Sequence, residues 1–123
     1  MVSQALDKKA ERVLTKAVFK VSEVLGLTRD ELATILGTST STLSRAVTGG
    51  VLAVEGSKQE ELALILVRIW KGIDTMTGGN AQAAHIWFNS SNAHLNAAPA
   101  ELVKKTEGLI RVANYLDAFR ARI

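Results

Sequence analysis

Residues 27–50, LTRDELATILGTSTSTLSRAVTGG, leave the chain little choice of local structure. Thr28 offers a side-chain acceptor at a helix start, and Glu31 a carboxylate three residues on, the pairing of a capping box. Leu32, Ala33 and Leu36 follow at helical spacing and mark one apolar side. Gly37 stands just past the last apolar residue, where a helix ends in a left-handed turn that glycine enters without a Cβ clash. Ser39 is placed to cap a second helix at once. In that helix Leu43 and Val47 are expected to face inward, and Thr40, Ser41, Ser44 and Arg45 outward. Gly49 and Gly50 end it.

Two short helices joined by so tight a turn form the pattern of a helix-turn-helix, whose second helix lies in the DNA major groove. Small hydroxyl residues and an arginine on its exposed face suit phosphates and base edges. The candidate DNA-binding residues are therefore Arg29, Thr40, Ser41, Ser44 and Arg45. An ordinary helical hairpin shares the caps. The whole order of caps, inward alanine, turn glycine and arginine-bearing second helix separates the two, and it resembles the helix-turn-helix of Cro/C1 and Xre-type regulators.

Charge bounds what such a module can do alone. The net charge is +3. Residues 1–50 hold seven Lys/Arg against five Asp/Glu and the remainder eight against seven, so neither half carries a basic excess worth the name. One chain should bind DNA weakly, and two half-sites on a dimer are needed for useful affinity.

The rest of the chain is also helical. Proline occurs once, period-two alternation is missing, and the fold class is all-α. A first helix is expected from about Gln4 to Leu25, with Leu6, Ala10, Val13, Leu14, Ala17, Val18, Val21 and Leu25 buried. Lys8, Lys9, Arg12, Lys16 and Glu23 lie on its other side. Those lysines can reach phosphates, although such a face is more often only solvated. Phe19 lies toward the polar side. A linker spans roughly Gly49 to Gly56, and Ser57 with Glu60 forms a second capping box before a helix from about Lys58 to Ile73. That helix is apolar nearly all round, which implies burial on all sides. A small domain rarely supplies that alone, so Leu64, Val67 and Trp70 become the candidate contact of a homodimer, the alternative being the central core helix of a monomer. Residues 75–80, TMTGGN, read as a turn with Asn80 as an N-cap. Helices are expected from Ala81 to about Phe88, from Pro99 to about Lys105, and from Glu107 to about Ala121.

Chemistry-bearing constellations are missing. Cysteine is absent. His85 and His94 lack the i, i+4 spacing of a metal pair. Gly78-Gly79 sits in no phosphate-binding glycine pattern. No enzymatic activity, cofactor or metal is expected. No apolar run approaches about 18 residues, so no membrane span is expected and a cytoplasmic protein is the default.

Residues 85–108, HIWFNSSNAHLNAAPAELVKKTEG, carry Trp87, Asn92, Leu95, Pro99, Glu101-Leu102 and Gly108 in a distinctive order. The stretch resembles the C-terminal domain of Xre-type antitoxins, the MbcA/ParS/Xre group paired with RES-domain toxins. With the helix-turn-helix in front, the resemblance runs from about Leu25 to Leu116. The group usually has a glycine before the proline, where this chain has Asn96-Ala97-Ala98; asparagine tolerates the left-handed conformation, so the turn survives. It often has Trp-Leu where this chain has Trp87-Phe88. Trp87 itself reads as scaffold, a large side chain surrounded by Leu95, Leu102, Val112 and Leu116 in a small core.

The resemblance implies an Xre-like helix-turn-helix region at 1–54 and a helical dimerisation and toxin-binding domain at 55–123. It implies an antitoxin that covers the active site of a cognate RES-domain toxin, an NAD-consuming enzyme, and represses its own operon at operator DNA. The homodimer would sit within a larger toxin–antitoxin complex. The chain end, YLDAFRARI, supplies the candidate toxin-binding residues Tyr115, Phe119, Arg120, Arg122 and Ile123. Arginine is suited to such a site through planar, bidentate hydrogen bonds. A frayed basic terminus is the plainer reading of the same residues. The runner-up function is a stand-alone repressor whose C-terminal domain only dimerises or binds a ligand.

Overall fold

The computed structural model describes residues 2–52 and 55–121, with side chains from Lys8 onward. These residues form seven helices: α1 Val2–Leu25, α2 Arg29–Leu36, α3 Thr40–Val47, α4 Lys58–Met76, α5 Ala81–Asn89, α6 Pro99–Leu102 and α7 Thr106–Ala121. The all-α expectation holds. Among the described residues, a lone antiparallel bridge between Asn92 and Ala97 is the nearest approach to a strand.

The caps explain the boundaries. Ser57 Oγ accepts from the Glu60 N–H, and the Glu60 carboxylate accepts from the Gly56 N–H, so α4 starts where the hydroxyl and carboxylate can reach back. It ends three residues later than its apolar run suggested, at Met76, because Thr75 and Met76 continue the turn before Gly78 and Gly79 break it. Asn80 Oδ1 accepts from the Ala83 N–H and starts α5. Pro99 is the first residue of α6, where its missing N–H costs nothing. Between α5 and α6, Asn92 Oδ1 accepts from His94 N and Leu95 N. Asn96 takes a positive φ of 61°, the position that the expected turn assigned to it.

α4 is the axis of the molecule. Its most extensive contact is with α7, and it also packs on α1, α2 and α5. Leu62, Ala63, Leu66, Ile69, Gly72 and Ile73 are buried there. Helix α4 is not covered on every side, however: Leu64 is 52% exposed. α1 lies across α4 and α5, and Asn89 Nδ2 donates to the Leu25 carbonyl at 2.9 Å, which holds the end of α1 against α5. The apolar core is continuous from Val18 on α1 to Leu116 on α7.

Four inward assignments are corrected. Val13 is 59% exposed, about 140° round α1 from the buried Val18, and Ala10 is exposed too. Val47 is 52% exposed, and Ala46 takes its place inside α3. Phe88, at 0% exposure, fills the centre of the C-terminal core, while Trp87 stays half-buried beside Tyr115. One residue along α5 turns a side chain by about 100°, so only one of two adjacent rings can face the core. The side chain of Leu6, expected inside, lies outside the described residues.

Candidate functional site

The α2–α3 unit is held at each joint by its own side chains. The Thr28 N–H donates to Glu31 Oε1 at 2.9 Å and the Glu31 N–H to Thr28 Oγ1 at 3.1 Å, the full capping box. Gly37 closes α2 with a φ of 64°. Its carbonyl accepts from Gln59 Nε2 at 3.1 Å, which ties the turn to the start of α4. Ser39 Oγ accepts from the Thr42 N–H and starts α3. Lys104 lies 3.9 Å from Glu31, between the turn after α6 and the first turn of α2.

On α3, Thr40, Ser41, Ser44 and Arg45 are all exposed and share one side. Ser39 and Thr42 hydroxyls lie 3.0 Å apart, and Arg45 Nη2 donates to Thr42 Oγ1 at 3.2 Å. The guanidinium is thus laid along its own helix, with its remaining donors open for an acceptor in a groove. Arg29 stands elsewhere. Its guanidinium sits 5.0 Å over the Phe19 ring, a cation–π contact that joins the start of α2 to α1.

At the chain end the candidate residues divide. Tyr115 is half-buried and sits between two rings, Trp87 at 6.4 Å and 21° and His94 at 6.1 Å and 33°. Phe119 is exposed at 36%. Arg120 Nη2 is held by Asp117 at 2.7 Å. Asp117 also faces Arg68 from α4, whose Nε lies 3.1 Å away, close enough for charge pairing although the N–H is not aimed along a hydrogen bond. Arg68 Nη2 donates to Asn114 Oδ1 at 3.1 Å. Arg122 and Ile123 lie outside the described residues. Tyr115 and Arg120 are therefore fastened to the fold, and Phe119 is the open one.

Sequence reasoning missed two features. Asp117 was hidden among surface charges, and only the α4–α7 crossing puts Arg68 opposite it. The other is a cleft of about 610 Å³ between α1, the start of α2 and the end of α3, lined in part by Phe19, Leu27, Arg29 and Val47. The place of Phe19 toward the polar side of α1 was its one signal. No group of three metal-ligating side chains occurs among the described residues, and no helix among them is long and apolar enough to cross a membrane.

Two family models match the chain. Residues 4–66 match the antitoxin Xre-like helix-turn-helix domain. Residues 74–122 match the antitoxin Xre/MbcA/ParS C-terminal toxin-binding domain. No curated protein matches the chain. The first match runs through α1, α2 and α3 into α4, and the second begins near the end of α4 and takes in α5, α6 and α7.

Proposed function

The chain belongs to the Xre-type antitoxins with an Xre-like helix-turn-helix and a toxin-binding domain, and from that membership we propose how it works. It holds a cognate RES-domain, NAD-consuming toxin inactive by covering the active site with the end of α7, and it represses its own operon as a homodimer through α2 and α3. The toxin-binding match carries the first part. The layout of α7 supports it: Tyr115 and Asp117 fasten the helix to α5 and α4, and beyond them Phe119 is presented to solvent. A rigid helix that ends in an open aromatic loses little freedom when it docks.

Co-expression with the adjacent gene product, purification and an NAD-consumption assay test this directly. Deleting 119–123 keeps the Arg68–Asp117 pair and should release toxin activity from a folded antitoxin. Deleting 117–123 should release it too, with some added loss of stability. Full neutralisation by the shorter deletion would sink the covering role of the chain end.

The DNA side rests on the exposed hydroxyls and Arg45 of α3. A gel shift with the gene's own upstream DNA should show a complex. Arg45→Ala should weaken it by about 1–3 kcal/mol if the guanidinium reads a base edge. Unchanged binding by that variant would remove Arg45 from the reading face.

A further inference from the structure

The cleft between α1 and the α2–α3 unit is built from two kinds of side chain. Phe19, Leu27, Ala46 and Val47 make an apolar floor. Arg12, Lys16, Lys20 and Arg29 line it with positive charge, against the single carboxylate of Glu23. Arg12, Lys16 and Lys20 follow at i, i+4, i+8, so they stand in one row along α1. The residues from Arg12 to Glu23 extend about 16 Å at the helical rise.

These cations differ from four of those in the C-terminal half. Lys58, Arg68, Lys104 and Arg120 each pair with a carboxylate. Among the described residues, no ion pair engages Arg12, Lys16, Lys20 or Arg29, and Arg29 touches only the face of Phe19. Lys71, Lys105 and Arg111 have no ion pair among the described residues either, but they do not line this cleft, whose four cations stand together over one apolar floor.

We propose that this cleft holds one phosphodiester strand of the operator beside the base-reading face of α3. A nucleic-acid strand alternates anionic phosphates with apolar sugar carbons, the same alternation as a charged rim over an apolar floor. Val47 is one turn beyond Ser44 on α3, so the cleft's lining begins one turn from the reading face. Contacts of this type position a protein and add affinity on any sequence, whereas Arg45 discriminates between sequences. The proposal rests on the DNA-binding reading of α2 and α3.

The test is fluorescence anisotropy of the full chain on its upstream duplex and on a scrambled duplex, between 50 and 200 mM salt, roughly the range over which phosphate contacts are read out. Lys16 and Lys20 are exposed, so the double variant Lys16→Gln/Lys20→Gln should keep the wild-type melting temperature. Its slope of log affinity against log salt should fall by about 1.8 per bound chain, about 0.9 for each phosphate no longer neutralised. It should weaken on both duplexes alike. Lys16→Arg/Lys20→Arg should keep the wild-type slope, and Lys71→Gln on exposed α4 surface should not change it. An unchanged slope for the glutamine double variant overturns the cleft assignment, while loss of operator preference in Arg45→Ala leaves the α3 reading standing. No wild-type binding to either duplex at the lowest salt overturns both. Loss of toxin binding by the glutamine variant, with its DNA slope intact, would assign the cleft to an acidic protein surface and overturn the proposal.

Discussion

Phe88 and Trp87 are neighbours with opposite environments. Phe88 is wholly buried among the helices, and Trp87 lies over Tyr115 with part of its indole in solvent. Removing the phenyl ring should open a cavity in close-packed surroundings, so Phe88→Ala should cost about 3–5 kcal/mol in urea denaturation. Trp87→Ala should cost clearly less, because the space it leaves can fill with water. The reverse order would return Trp87 to the core. Asp117 is a different case. Its two partners, Arg68 and Arg120, are 41% and 36% exposed at the side chain, so screening keeps each pair within about 1 kcal/mol. Asp117→Asn should hardly move the melting temperature, yet it frees Arg120 to reorient. A change in toxin affinity without a change in stability is the expected signature, and surface plasmon resonance against the purified toxin measures it.

Among the elements, the α4–α7 crossing decides where the chain end points. Gly72 is buried there, and a Cβ on it would lie 2.8 Å from the Leu116 Cβ. Gly72→Ala should force the helices apart and cost about 1–3 kcal/mol as overpacking, and it should also weaken toxin inhibition if α7 carries the docking end as proposed. A variant with wild-type stability would mean that the crossing relaxes freely. Such a contact shows the limit of what the chain alone discloses. Caps are local, so Thr28, Ser39, Asn80, Pro99 and the left-handed Asn96 could be assigned from spacing and residue type. The all-α class and the α2–α3 turn followed from the same local rules. Burial is settled by partners distant in sequence. Val13, Val47 and Trp87 fit an apolar pattern, yet Val13 faces away from the α1 side that packs, and Ala46 and Phe88 stand inside where Val47 and Trp87 were expected. Arg45 could be named from its helix position, but its tether to Thr42 and the Arg29–Phe19 contact depend on rotamers and on how α1 lies against α2.

At the scale of the molecule, the question is what covers α4. Every face of this helix carries apolar residues, and the described chain buries all but one strip, where Leu64 is 52% exposed next to half-buried Val67. A second copy set against this strip would remove Leu64 from water and bring two α3 helices into one particle, as the proposed operator binding by a dimer needs. Trp70 flanks the strip with its ring packed on the core, so it would contribute an edge rather than an anchor. Leu64→Glu should turn a dimer into a monomer by light scattering and leave the melting transition of the monomer nearly unchanged, since the side chain is half exposed and outside the buried core. Operator binding should fall with the dimer. Leu64 also precedes Arg68 by one helical turn, and Arg68 holds Asp117 on α7. The variant therefore separates two uses of one strip. A monomer that still inhibits the toxin assigns Leu64 to the dimer, and a dimer that no longer inhibits it assigns Leu64 to the toxin-facing end and removes α4 as the self-contact.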